Sequence, residues 1–188
     1  DLPGAGFGIT SDGFFELAEQ PKNVAIVGGG YIAVEFAGLL RALGSEVTMI
    51  LRRAHFLNDF DAMLRDELMV QMRADGVRVI TETRMARVEK ASIGIRICFE
   101  SDEFVAGLDG LIWALGRRTN TDRLDLRATG VSVTDSGHIQ TDAYQSTNVS
   151  GIHAIGDVAG RFELTPVAIA AGRRLADRLF GGMKDRTL

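Results

Sequence analysis

Asn23-Val24-Ala25-Ile26-Val27-Gly28-Gly29-Gly30-Tyr31-Ile32-Ala33-Val34-Glu35 reads as an apolar strand that breaks into a glycine turn and continues as a helix. That geometry holds a dinucleotide pyrophosphate. The first glycine allows the sharp turn, the second removes a side chain that would block the phosphates, and the third small residue lets helix and strand pack closely. Gly28, Gly30 and Ala33 stand in those three places. The free N–H groups and positive dipole end of the helix then face the anion. A G-x-G-x-x-A pattern alone also fits an ordinary strand turn; its meaning here comes from the order strand, turn, helix.

Working outward, residues 1–8 are glycine-rich and turn-like, and Thr10-Ser11-Asp12 offer N-cap residues for a short helix over 13–20, which Pro21-Lys22 breaks. In the helix after the glycine turn, Ile32, Phe36, Leu39, Leu40 and Leu43 follow helical spacing and predict a buried stripe, with Gly44 as the stop. Residues 47–51 give the next strand, which completes a βαβ unit with a right-handed crossover. Asp61 caps a helix running to about residue 75, with Leu64, Leu68 and Met72 on one face, and a strand resumes over 77–80. From 86 to 105 the periodicity shortens to two, interrupted by polar turns at Lys90-Ala91-Ser92 and Ser101-Asp102, which predicts an inserted antiparallel meander. Residues 110–115 read as a buried strand returning to the parallel sheet.

Past Arg117-Arg118-Thr119-Asn120 the composition changes. Residues 130–140 read as a small hairpin and 151–157 as an apolar strand ending in Gly156-Asp157; Thr165 then caps and Pro166 opens a helix carrying Val167, Ala171, Leu175 and Leu179. One strong strand and one long helix are too few to close a sheet, so the tail reads as half of a second domain. The fold class is therefore α/β, a Rossmann-like parallel sheet with an inserted antiparallel β-meander over residues 1–125, followed by an incomplete domain over 126–188.

A chain of 188 residues can hold one full core or a domain plus part of another. Its formal charge of −4 argues against a partner read through a phosphate backbone, so no nucleic acid is expected. The longest apolar stretch, 24–40, contains four glycines and Glu35, and no membrane span is expected. No charged-then-apolar leader opens the chain, and a start at Asp1 points to a processed or excised piece. The single cysteine, Cys98, lies in an alternating segment that reads as a strand; a buried structural thiol in a reducing, cytoplasmic compartment is the expectation. No metal site is expected.

The end of the second strand selects the dinucleotide, because the adenosine ribose lies there: NAD sites place a carboxylate at that point and NADP sites place cations for the 2′-phosphate. Arg52 and Arg53 stand there with no acid between Met49 and His55, which favours NADPH over NADH. His55 reads either as a further phosphate contact or as a surface-loop histidine. Tyr31 and Glu35, four residues apart, share a helix face beside the pyrophosphate. Tyr31 reads either as a cover for the nicotinamide pocket or as a packing aromatic. Glu35, among Val34, Phe36 and Ala37, reads either as a carboxylate needing a partner or as an exposed helix position.

Gly28-Gly29-Gly30-Tyr31-Ile32-Ala33-Val34-Glu35, together with Gly8-Ile9-Thr10-Ser11-Asp12-Gly13-Phe14-Phe15, Ala114-Leu115-Gly116-Arg117 with Asn120, the segment 151–160, and Leu164-Thr165-Pro166-Val167-Ala168-Ile169-Ala170-Ala171-Gly172, resembles the pyridine nucleotide-disulfide oxidoreductase family, most closely its glutathione reductase members. The resemblance spans nearly the whole chain and implies a homodimeric flavoenzyme that uses NADPH and FAD to reduce a disulfide. By that likeness Tyr31 gates the nicotinamide pocket, Glu35 orients the carboxamide, and Arg52 holds the 2′-phosphate. Asp157 holds the FAD ribityl chain, and the helix start at Thr165 lies near the flavin. The implied cofactor-binding set is Gly28, Gly30, Tyr31, Ile32, Glu35, Arg52, Arg53, Gly116, Asp157 and Thr165.

Two departures stand out. Asn58 occupies the place of a second arginine in NADP-specific relatives, and Thr119 that of a proline. The family's N-terminal FAD fingerprint, its redox cysteine pair and its C-terminal interface domain are not among these residues. The expectation is a central NADPH domain with the second half of a FAD domain, a piece that binds nucleotide without turnover. Trypanothione, mercuric or NADH-dependent reductases of the same family, and a non-catalytic NADPH-binding module, are the alternatives.

Overall fold

The apolar run ahead of the glycine turn forms β1 (Asn23–Val27) in the interior of a parallel sheet, in a computed structural model that describes residues 2–185 and Thr187. The chain divides into two units, Asp1–Gly116 and Arg117–Leu188, nine residues ahead of the domain change expected after residue 125. In the first unit α1 (Ser11–Phe15) precedes β1, and α2 (Tyr31–Ala42), β2 (Glu46–Ile50), α3 (Ala62–Ala74) and β3 (Arg78–Ile80) follow it. Three strands come next, β4 (Met85–Lys90), β5 (Ile95–Phe99) and β6 (Phe104–Leu108), and then β7 (Gly110–Trp113).

The parallel sheet has the order β3-β2-β1-β7, and β4-β5-β6 form a separate antiparallel sheet. Because side chains alternate along a strand, the two faces of β1 serve two cores. Val24 and Ile26 pack with Phe36, Leu40 and Met72 from the helices. Ala25 and Val27 pack with Val88, Ile97 and Leu108 from the antiparallel sheet. The inserted meander is thus the layer that dries the second face of the sheet. Cys98 is buried on β5, where its Sγ lies 3.8 Å from Glu89 Oε1.

Three helices depart from the sequence reading. In α2 the buried positions are Ala33, Phe36, Ala37 and Leu40, whereas Leu39 and Leu43 of the expected stripe are exposed. Two alanines let the helix axis lie close to the sheet, which rotates the leucines outward. In α3 the Asp61 carboxylate accepts from the Met63 amide at 2.9 Å as expected, and Met69 joins Met72 in the core while Leu64 is exposed. Finally, α1 begins at Ser11 and ends at Phe15 instead of covering 13–20. Phe14 stacks on Phe36 at 4.0 Å and fixes that one turn, and the polar residues after it have no such anchor.

The second unit contains α4 (Leu126–Thr129), a 3-10 turn at Gly156–Ala159 and α5 (Thr165–Phe180). Its small core gathers Val131, Ile139 and Ala154. The expected hairpin over 130–140 is reduced to one antiparallel bridge, Val133 to Ile139. The expected strand over 151–157 is likewise a single bridge, His153 to Ser146. A strand is defined by its ladder, and no neighbouring strand among the described residues supplies one. On α5 only Ala171 is buried, while Ile169 and Leu179 are exposed.

Candidate nucleotide site

At the C-terminal end of β1 the chain turns through Gly28, whose amide donates to the Ile50 carbonyl at 3.1 Å. Gly28 has φ +139, and a Cβ there would lie 2.1 Å from the Ala114 carbonyl oxygen. Only glycine fits. Gly30 is different in kind: it is the N-cap of α2, with extended φ −85 and ψ 176, and a Cβ there would meet nothing within 4 Å. The first bond of the helix runs from the Val34 amide to the Gly30 carbonyl at 3.2 Å, so the amides of Tyr31, Ile32 and Ala33 precede the hydrogen-bonded turn, and those of Tyr31 and Ile32, on solvent-accessible residues, are open to an anion. Ala33 is fully buried in the core beneath them.

Tyr31 and Glu35 both lie on the exposed side of α2, Tyr31 at 45% exposure. The Glu35 carboxylate keeps its water, so a partner required by burial does not arise. Phe36 and Ala37 face the core, and Glu35, one residue earlier on the helix, is turned away from them. Ile32 is half-buried at the first turn and packs against the helix-side core.

After β2 the chain carries Arg52 and Arg53, both exposed and without an ion pair among the described residues. His55 is tied instead to Asp66, its Nδ1 lying 3.4 Å from Oδ1, which is the surface-loop reading of that residue. Asn58 uses its amide to donate to the His55 carbonyl at 3.1 Å. Sequence reasoning missed two features of this loop. Phe56 is fully buried, and the Leu57 amide donates to the Gly29 carbonyl at 2.7 Å, which ties the loop to the glycine turn. The one available signal was an isolated aromatic among polar residues in Arg52-Arg53-Ala54-His55-Phe56. Gly116 has φ +136 and open space where a side chain would stand.

In the second unit Asp157 lies in the 3-10 turn and pairs with Arg117, Nη2 to Oδ2 at 2.8 Å. Thr165 is exposed and is the first residue of α5; its hydroxyl does not cap the helix as expected, because Leu164 is the N-cap and its carbonyl accepts from Val167 and Ala168. No described helix is long and apolar enough to cross a membrane.

Similarity to known proteins follows this architecture. The chain is 49% identical over its whole length to glutathione reductase of Schizosaccharomyces pombe and 44% identical over 184 residues to that of Yarrowia lipolytica, covering 40% and 39% of those proteins. It spans about two-fifths of the length of the curated relatives it matches. Among solved structures, the HOCl-induced flavoprotein disulfide reductase RclA from Escherichia coli superposes with a TM-score of 0.88 at 31% identity, over 96% of this chain and 42% of that one. LpdA from Mycobacterium tuberculosis does so with a TM-score of 0.80 at 26% identity, over 93% and 38%. Residues 1–172 match the family model described as pyridine nucleotide-disulphide oxidoreductase, so the fold, the glycine turn and the sequence agree: the chain belongs to that family.

Proposed function

We propose that this chain is the NADPH-binding domain and part of the FAD-binding domain of a glutathione reductase-like enzyme of the cytoplasm, homodimeric when intact. When bound, the two cofactors supply hydride transfer from NADPH to flavin and electrons for a disulfide. The observation that carries the reading is the pairing of an open cradle at Gly30 with two uncommitted guanidinium groups at Arg52 and Arg53. A diphosphate fits the first and a 2′-phosphate the second.

In this reading the amides at the start of α2 hold the pyrophosphate, and Gly28 keeps the turn tight enough to aim them. Arg52 and Arg53 neutralise the 2′-phosphate by charge-assisted hydrogen bonds. Tyr31 and Glu35, exposed on the same helix face, cover the nicotinamide and orient its carboxamide. Asp157 would accept from a ribityl hydroxyl of FAD, and the start of α5 at Thr165 would lie near the flavin; an exposed carboxylate is a suitable acceptor for a hydroxyl, and the positive dipole end of a helix suits an anionic group. With one cysteine in the sequence, this chain has no thiol pair to relay electrons, so it binds nucleotide and reduces no disulfide by itself.

Calorimetric titration of the chain tests this. NADPH binds, and NADH binds at least about tenfold more weakly. Equal affinities, or no binding by a folded sample, would overturn the reading, as would reduction of oxidised glutathione by the chain alone.

A further inference from the structure

We propose that Arg117 is a positioning residue for the flavin carboxylate, acting by tying Asp157 to Glu163 across one loop; this rests on the reading of Asp157 as a ligand of the flavin ribityl chain. The two acids stand at the ends of the segment 157–163, which leads from the 3-10 turn into α5. Arg117 reaches both: Nη2 lies 2.8 Å from Asp157 Oδ2 and Nη1 lies 2.8 Å from Glu163 Oε2. A guanidinium is a planar fork with fixed donor directions, so two acids held by its two ends are fixed relative to each other.

The far side of the loop is pinned as well. Glu163 Oε1 lies 3.7 Å from His138 Nε2, and the other ring nitrogen of His138 is 2.9 Å from Ser136 Oγ. The loop is seated on that ring closely enough that a Cβ at Gly160 would come within 2.7 Å of His138 Cγ. Arg161 adds a hydrogen bond to the Thr141 carbonyl at 3.0 Å. The loop is therefore held at both ends and in its middle.

The consequence concerns one oxygen atom. Asp157 is 43% exposed, and an exposed carboxylate samples several rotamers. With Oδ2 engaged by Arg117, its other oxygen, Oδ1, accepts no hydrogen bond among the described residues and is presented to an incoming hydroxyl. Arg117 thereby removes rotamer freedom before the ligand arrives, which raises affinity without a contact of its own.

The test uses the full-length protein containing this chain, stripped of flavin and titrated with FAD by fluorescence quenching. Asp157→Asn and Arg117→Met each weaken FAD about tenfold or more, in line with the worth of a charged hydrogen bond. The double variant is no weaker than Asp157→Asn alone, because Arg117 acts through that carboxylate. Arg117→Lys, whose ammonium cannot hold both acids in the same fork, falls between wild type and Arg117→Met. Glu163→Gln weakens FAD about threefold. If Asp157→Asn loses FAD and Arg117→Met does not, the positioning role is wrong and the flavin reading stands. If Asp157→Asn binds FAD as wild type does, the flavin reading itself fails. Losses that multiply in the double variant would mean that Arg117 acts elsewhere. Where Arg117→Met does not fold, Arg117→Lys decides, and wild-type affinity there overturns the proposal.

Discussion

Gly28 and Gly30 are two residues apart in one turn, and the structure assigns them opposite reasons for being glycine. Replacing Gly28 by alanine drives a methyl to 2.1 Å from the Ala114 carbonyl oxygen at a φ of +139. Backbone strain of that kind costs about 1–3 kcal/mol, and shifting a packed neighbour about as much again. The neighbour is also held by the bond from the Ala114 amide to the Val27 carbonyl at 2.8 Å, worth about 1 kcal/mol. Gly28→Ala should therefore destabilise the first unit by about 3–7 kcal/mol, against a stability of about 5–15 kcal/mol for an ordinary domain. Gly30→Ser should do nothing of the sort. Its extended backbone suits a serine N-cap, its side chain enters empty space, and the fold changes by a few tenths of a kcal/mol. What it fills is the cradle, so NADPH binding drops at least about tenfold. Urea unfolding followed by Trp113, the single tryptophan and a residue of β7, reports the first unit alone. With a slope of about 2 kcal/mol per molar, the Gly28→Ala midpoint falls by about 1.5–3.5 M. A Gly30→Ser chain that unfolds as early as Gly28→Ala, or that binds NADPH undiminished, would refute the assignment.

Arg52→Ala should weaken NADPH about 10- to 100-fold, the worth of a charged hydrogen bond, and leave NADH within about twofold; parallel titrations with both nucleotides check this, and a uniform loss would remove the 2′-phosphate from the account. Asp61→Ala loses the cap on the Met63 amide and should cost about 1 kcal/mol in thermal or urea unfolding without touching β1 or α2; a change under about 0.3 kcal/mol would mean that the cap is idle. The Glu89 carboxyl is held below its ordinary range, chiefly by the hydrogen bond from Arg87. A depressed folded pKa contributes stability above the unfolded value and loses it as pH falls through the folded one. The gap between wild type and Glu89→Gln should thus be present at neutral pH and close below about pH 4.3, and a gap that widens in acid would reverse the sign.

What was legible in the sequence was local. The strand, glycine turn and helix at residues 23–35 announce themselves by period and by residue type, and so do the meander and the Asp61 cap. Burial within α2 does not follow side-chain size: Leu39 and Leu43 are the larger side chains, yet Ala33 and Ala37 face the sheet. The expected strand at 151–157 rests on apolar content, but a ladder depends on a neighbour that periodicity does not reveal. The burial of Phe56 leaves only a faint signal for a related reason, since one aromatic in a polar loop has no period. The bridge from Arg117 to Asp157 joins residues 40 apart in sequence, and only the fold brings them together.

The placement of β7 has a consequence for how this molecule is made. Its pairing with β1 sets Val24 opposite Gly110, 86 positions apart, with β2, β3 and a whole antiparallel sheet between them. During synthesis β1 and β2 can pair early and the meander can close on its own short hairpins, whereas β7 arrives last and must insert against a flank left bare until then. Until it does, the strand that ends up central is a rim, open to unwanted neighbours. A ribosome stalled before residue 110 would hold a sheet whose most apolar strand has one side unclaimed.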